Sequence, residues 1–430
     1  MRVVHVSTSD SQGGAARAAL RLHRGLRDAG VDSSMLVRER FLNEPEIVRL
    51  RGRAARLLGS GGAVAERVTG RLYPHHAPVM FGASWVPDLV AREVRALRPD
   101  VVNVHWVGAG FVTPESIGRL ARRGPLVWTL HDTYPFTGGC HYFGDCEAYA
   151  ARCGACPALG SRAALDLSRV GWLRKWRALR RAPLVAVAPS RWMADAARRS
   201  SLLRDAHVEV IPNSIDTDVF RPIERSEARR ALGLPLDRRM LLFAAASGAN
   251  DPKKGFQHLA AAARILAANG GLPLELVVAG TPPAGARPDC GVPVRWLGVI
   301  GDDRALAAWN AAVDVAVVPS VQENLANTVL EALAAGTPAV AFRVGGMPDM
   351  IEDRVSGALA EPFDPRALAD AIRWVVEDRS RHLELSAAAR RRAESEYALA
   401  VQARRYRALY EDLLRSGGRS ARTASAKANG

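Results

Sequence analysis

The sequence predicts an α/β protein made of two doubly wound, Rossmann-like parallel-sheet domains. Three observations carry this. Short apolar runs alternate with stretches of helical spacing along nearly the whole chain, the pattern of parallel strands covered by helices. The runs are too many for one sheet of ordinary size, and 430 residues suit two or three domains of about 100–200 residues each. A cluster of turn residues, Ile211-Pro212-Asn213-Ser214-Ile215-Asp216, stands midway and reads as a hinge.

The expected strands, in order, are Val3–Ser7, Val101–Val104, Leu126–Leu130, Leu184–Ala188, Val208–Ile211, Met240–Ala244, Leu274–Ala279, Val313–Val318 and Ala339–Phe342. Each is a short run of β-branched or aliphatic residues bounded by polar or turn residues. The first helix shows in Ala15, Ala18, Ala19, Leu22 and Leu26, spaced by three and four. Domains are expected over residues 1–211 and 212–395. A helix over 396–415 is expected to return to the first domain. Residues 416–430, rich in Ser, Gly, Ala and Arg, are expected to be a disordered tail.

Hydrophobic residues make up 48% and charged residues 24%, which excludes wholesale disorder, a collagen-like repeat and a small disulfide scaffold. No apolar run reaches the roughly 18 residues of a membrane span. The apolar stretch in MRVVHVSTSD is too short for a signal peptide, so the cytoplasm is the expected compartment. The net charge of +15 is uneven: residues 1–200 carry 30 Lys and Arg against 16 Asp and Glu, a net of +14. Clusters fall at Arg49–Arg56, Arg119–Arg123 and Arg174–Arg181. A basic half suits an anionic partner, such as nucleic acid, a phospholipid surface or a phosphorylated substrate; solubility alone is the plainer explanation.

Ligands of open parallel sheets bind beyond the C-terminal ends of the strands, so the loops there are the places to look. After the first strand, Gly13-Gly14 precede a helix start, where backbone approaches a phosphate closely. Alone the pair is a weak signal, since paired glycines are more often just a turn. After the third expected strand stand His131-Asp132, with the imidazole at the ligand crevice or simply hydrogen-bonded in place. The loop Ser247–Gly255 holds Lys253 and Lys254, two of only four lysines in the chain. Next to a helix start they suit a diphosphate; a solvated turn is the alternative. The strongest signal is Pro319–Leu333. Glu323 lies in the loop and Glu331 about two turns into the next helix, so two carboxylates could each accept hydroxyl hydrogen bonds from a sugar ring. The helix-start N–H groups around Asn324, Leu325, Ala326 and Asn327 suit phosphate.

These pieces, in order, resemble glycosyltransferase family 4, retaining enzymes of the GT-B fold. The match rests on Gly13-Gly14, Trp128-Thr129-Leu130-His131-Asp132, Pro189-Ser190, Ile211-Pro212-Asn213, Lys253-Lys254-Gly255, Asp302-Asp303, Glu323 with Glu331, Gly336-Thr337-Pro338 and Gly345-Gly346, and covers about residues 1–415. Thr137-Gly138-Gly139-Cys140-His141-Tyr142 resembles a subgroup from bacterial exopolysaccharide clusters, including the colanic-acid type. The resemblance implies two domains facing across a cleft, with the acceptor on the first and the nucleotide sugar on the second. It implies that Glu331 binds the ribose, Glu323 the donor sugar, Lys254 the diphosphate with backbone help from Gly14, and that His131 sits near the transferred sugar. Many relatives carry an arginine roughly where Ser247-Gly248 stand here, so that role is not assigned. No catalytic cofactor is expected.

Four of five cysteines fall within residues 140–156: Cys140, Cys146, Cys153 and Cys156. The pair Cys153-Gly154-Ala155-Cys156 is similar to a zinc knuckle. A structural Zn²⁺ held by the four is expected, with His141 as a substitute ligand and free thiols or disulfides as the alternatives.

The sequence therefore points to a cytoplasmic, nucleotide-sugar-dependent glycosyltransferase in cell-surface polysaccharide synthesis. Its expected partners are a UDP- or GDP-sugar, a saccharide or lipid-diphosphate-linked acceptor, and an anionic membrane surface, with peripheral attachment at the inner face of the cytoplasmic membrane. The rivals are a UDP-sugar 2-epimerase of the same fold and a non-enzymatic nucleic-acid binder. Nucleic acid is not expected, because aromatics are 6% and no motif interleaves them with basic residues.

Overall fold

The computed structural model describes residues 1–52, 57, 58, 60–66, 72, 73, 80–246, 248–270, 272–283 and 285–428. Arg53 and Arg56 of the first basic cluster, and Ser247, lie outside these residues. The chain divides into two compact units, Met1–Ile211 with Gln402–Gly430, and Pro212–Val401.

The first unit is a seven-stranded sheet in the order β3-β2-β1-β4-β5-β6-β7. Its strands are β1 (Arg2–Ser9), β2 (Asp32–Glu39), β3 (Ile47–Arg49), β4 (Val101–Val104), β5 (Leu126–Thr129), β6 (Leu184–Ala188) and β7 (His207–Val210). The second is a six-stranded sheet in the order β10-β9-β8-β11-β12-β13. It comprises β8 (Arg239–Ala244), β9 (Leu274–Ala279), β10 (Val294–Gly298), β11 (Val315–Val318), β12 (Ala339–Phe342) and β13 (Gly357–Ala360). Every pairing in both sheets is parallel. The strand order reverses between β1 and β4 in one unit and between β8 and β11 in the other. Those are the switch points at which such sheets open a crevice.

Helices cover both faces of the first sheet, so its central strands are buried on both sides and read as nearly continuous apolar runs. Val4, Val6, Val102, Val104 and Trp128 pack into one layer, while Val3, Val101, Val127, Val185 and Val187 pack on the other with Leu22 and Leu26. Each buried Val or Leu is worth about 1.5–3 kcal/mol relative to exposure. The last helix, Leu399–Ala428, brings Tyr406 and Tyr410 into this second layer. There Asn103 donates to the Tyr410 hydroxyl at 2.7 Å, and Thr129 and Tyr406 hydroxyls meet at 3.0 Å. The helix backbone continues to Ala428 across the segment expected as a tail.

In the second unit the bottom of the switch point is pinned by Asp314. Its Oδ2 accepts from Arg229 Nη2 at 2.6 Å and from the Met240 N–H at 2.7 Å, which ties the start of β8 to the start of β11.

Strands β2, β3, β10 and β13 are additions to the expected set. None is a run of β-branched residues bounded by turns. The strand β2 opens on Asp32-Ser33-Ser34, and β13 is Gly-Ala-Leu-Ala. They are strands because a neighbouring strand offers them a ladder, and tertiary pairing outweighs weak local preference.

Candidate active site

In the second unit three loops meet at Glu323. The turn after β8 ends in the short 3₁₀ segment Pro252–Lys254, whose cap Asp251 accepts the Lys253 N–H. Gly255 then adopts φ +72°, and a Cβ there would lie 1.8 Å from the Pro319 carbonyl oxygen. Only glycine permits that approach. The loop after β11 is stitched to the same turn by Val321 N–H donating to the Lys253 carbonyl at 2.9 Å. The loop after β12 closes from the other side. Gly345 has φ +53° with a virtual Cβ 1.9 Å from the Glu323 carbonyl oxygen, and Gly346 N–H donates to that oxygen at 3.0 Å.

This packing fixes the side chains. Lys254 Nζ lies 2.6 Å from Glu323 Oε2, and the Ser320 hydroxyl lies 3.4 Å from the same oxygen. Glu323 is buried and Lys254 partly exposed. Lys253 has its ammonium pushed down, by burial first and by Lys254 beside it, against the pull of Asp251. Glu331, on the helix Asn327–Ala334, is 2% exposed. The N-cap of that helix is Ala326, which offers no side-chain acceptor to the first N–H groups. Asn324, Leu325 and Ala326 are buried at its approach. The arrangement places an ammonium, two carboxylates and a helix start around β8 and β11, the set that suits a diphosphate with hydroxyl-bearing groups on either side.

In the first unit, Gly13 caps the helix Gly14–Asp28 with φ 90°, and both glycines are exposed after β1. His131 follows β5 and is half-buried. Burial pushes its imidazole down to about 4, against the pull of the Asp132 carboxylate. Asp132 binds elsewhere. Its Oδ2 accepts from Trp106 Nε1 at 2.7 Å and lies 2.5 Å from His141 Nδ1, while Oδ1 accepts the Tyr134 N–H at 2.9 Å. Burial raises its pKa, but His141 and these donors together hold it below the usual carboxylate range. Asp132 thus braces the loop 132–141. Sequence reasoning missed Trp106 and His105, although they follow β4 as His131-Asp132 follow β5; that parallel placement was the available signal.

The zinc expectation is corrected. Among the described residues, no group of three or more His, Cys, Asp or Glu side chains is gathered to hold a metal ion. All five cysteines are free. Cys140, Cys153 and Cys156 are buried in packing around the 132–141 loop, where Gly138 N–H donates to Cys153 Sγ at 3.1 Å. Burial pushes the Cys140 thiol up to about 12 and the Cys153 thiol up to about 11. His141, the substitute ligand, gives its Nδ1 to Asp132.

Two parallel-sheet Rossmann-like units with this loop chemistry define an α/β protein of GT-B type. Residues 12–219 match the family model described as Glycosyltransferase Family 4, and residues 238–378 match Glycosyl transferases group 1. The first unit thus matches one glycosyltransferase family model and the second unit another. Similar curated proteins include the D-inositol 3-phosphate glycosyltransferase of Nocardioides sp., 38% identical over 40% of this chain and 42% of that protein. That of Geodermatophilus obscurus is 40% identical over 43% of each. The chain thus spans less than half the length of these relatives, and their names are not those of exopolysaccharide enzymes. Among solved structures, sucrose-phosphate synthase from Thermosynechococcus elongatus has a TM-score of 0.66 at 20% identity, covering 97% of this chain and 100% of that one. Anabaena HepE, in complex with UDP and glucose, has a TM-score of 0.62 at 17% identity over 96% and 100%. These two likenesses concern the fold.

Proposed function

We propose that the protein is a retaining glycosyltransferase that moves a sugar from a nucleotide-diphosphate sugar to a saccharide or lipid-linked saccharide acceptor. The observation that carries this is the Lys254–Glu323 pair, 2.6 Å apart at the β8/β11 switch point, with Glu331 buried on the helix that follows. Glu331 accepts the ribose hydroxyls and Glu323 those of the donor sugar. Lys253, Lys254, Gly13, Gly14 and the N–H groups around Asn324–Asn327 serve the diphosphate. The charge matters most as the diphosphate leaves an oxocarbenium-like sugar. The departing phosphate oxygen takes the acceptor's proton, and the acceptor attacks the face from which the nucleotide leaves. His131 sits beside the transferred sugar as a neutral imidazole.

The place of action in this reading is the inner face of an anionic membrane. The net of +14 in residues 1–200 supports it. So does the helix Leu167–Leu179, whose exposed Val170 and Trp176 stand among arginines, Arg180 lying 4.5 Å over the Trp176 ring. Among the described residues no helix is long and apolar enough to cross a membrane. Cell-surface polysaccharide synthesis is the setting this reading favours. The names of the curated relatives favour a second acceptor class, a phosphorylated polyol such as D-inositol 3-phosphate.

The test is a melting-temperature panel with UDP-, GDP- and ADP-sugars, since a ligand that binds the folded state raises the melting point. It is followed by transfer to lipid-linked saccharides and to inositol phosphate, with the anomeric configuration read by NMR. If no nucleotide sugar shifts the melting point, the reading fails. Reversible isomerisation of donor alone would replace it with the epimerase.

A further inference from the structure

Three imidazoles stand in line in the first unit, two buried and the last half-buried, and the proposed mechanism uses only the last. His5 lies on β1, His105 just after β4 and His131 just after β5, on three strands adjacent in the sheet. Side chains alternate along a strand, so His5 shares the face of Val3, and His105 that of Asn103. His131 likewise follows Thr129 on the face covered by the last helix. His5 Nδ1 lies 2.9 Å from His105 Nε2, and His105 Nδ1 lies 3.0 Å from His131 Nε2. The rings are inclined to one another by 31° and 26°, with centroids 5.1 and 5.3 Å apart. His5 is 0% and His105 2% exposed.

We infer that His5 and His105 are positioning residues that lock the tautomer of His131, so that it meets the donor sugar with one defined ring nitrogen. This rests on the functional reading above. The logic is that of hydrogen counting. Each contact joins an Nδ1 to an Nε2, so one must carry the hydrogen and the other a lone pair. A neutral ring carries one hydrogen. Two arrangements satisfy both contacts, all hydrogens on Nδ1 or all on Nε2. His5 Nε2 is buried without a partner, which disfavours a hydrogen there, so the three hydrogens fall on the Nδ1 atoms. Burial supports neutrality, since it lowers the pKa of all three imidazoles.

A carboxylate commonly holds the far nitrogen of a working histidine, but Asp132 directs its oxygens to Trp106, His141 and Tyr134. The row of rings takes that place. It orients rather than conducts. It ends at His5 Nε2, which has no hydrogen-bond partner. Beyond it the His23 ring packs edge-on with centroids 6.0 Å away, its Nδ1 held 2.8 Å from Ser33 Oγ and its Nε2 also unpartnered. A proton entering at His131 would have no exit.

The test uses the full chain labelled with ¹⁵N-histidine, with ring signals assigned by single substitutions and tautomers read from the ring nitrogen shifts. His5, His105 and His131 are expected to share one tautomer. His5→Phe leaves the His105–His131 contact in place, yet is expected to convert His131 to a mixture of tautomers. It should lower kcat by about tenfold, the scale of one lost hydrogen bond, with the donor KM within about twofold. His5→Asn, whose amide can stand in for Nδ1, is expected to restore both. A merely structural His5 would change the melting point and leave the His131 tautomer alone. Unlike tautomers in the three rings, or a His131 signal indifferent to His5→Phe, overturn the inference. The ring signals are read without substrate, so a wild-type protein that binds no nucleotide sugar would sink the functional reading while leaving the lock to be judged by itself.

Discussion

Gly255→Ala is the most direct test of how the second unit builds its site. The added Cβ would sit 1.8 Å from the Pro319 carbonyl oxygen, at φ +72°. Real Cβ contacts need more than 3 Å, so the turn after β8 and the loop after β11 must separate by more than an ångström. Both sides are backbone, so no side chain can swing away. The left-handed conformation costs about 1–2 kcal/mol for a residue with a Cβ, and the displacement adds to it. A total of about 2–3 kcal/mol, at about 2–4 °C per kcal/mol for a unit of this size, lowers melting by roughly 4–12 °C. The displacement also draws Lys254 from Glu323, now 2.6 Å apart. Nucleotide affinity should therefore fall along with stability. Differential scanning calorimetry and nucleotide titration of the same preparation check both. Unchanged melting together with unchanged nucleotide affinity would refute the reasoning, because the close approach would then not exist.

Four further outcomes are expected. Glu331→Ala should weaken nucleotide binding by about 1.5–3 kcal/mol, the worth of hydrogen bonds to a charged group, as read by calorimetry with the nucleotide alone. Lys254→Ala should reduce turnover far more than folding, and a larger loss from Lys253→Ala would reverse the assignment of the two lysines. Stability should fall as pH drops from about 6.5 toward 4, because the unfolded chain takes up protons that His23 and His131, both lowered to about 4, refuse when folded; unfolding titrations across that window check the sign. The protein should sediment with anionic but not neutral vesicles and release as salt shortens the Debye length below about 8 Å, whereas equal binding to both would assign the charge to solubility.

Much of this protein was legible in its sequence for a simple reason. A strand buried on both faces has to be apolar throughout, so β4, β5, β6, β8, β9, β11 and β12 announce themselves as short runs. The loops after such strands are where an open parallel sheet places its chemistry, and Lys254, Glu323 and Glu331 stand out there by residue type alone. The edge strands β3, β10 and β13 did not announce themselves, because an edge is defined by a neighbour's ladder rather than by its own residues. Proximity in sequence misled at the cysteines. Four thiols within residues 140–156 suggested a metal, but among the described residues no three or more His, Cys, Asp or Glu side chains gather to hold one. Separation in sequence hid the row of His5, His105 and His131, because only the register of β1, β4 and β5 brings their ring nitrogens within 2.9 and 3.0 Å of one another. Residue types and periodicity thus determined the two-sheet architecture and the chemistry of its loops. Which distant side chains touch, and in what protonation state, was decided by strand order and burial. Those depend on the whole sheet and not on any local run of residues.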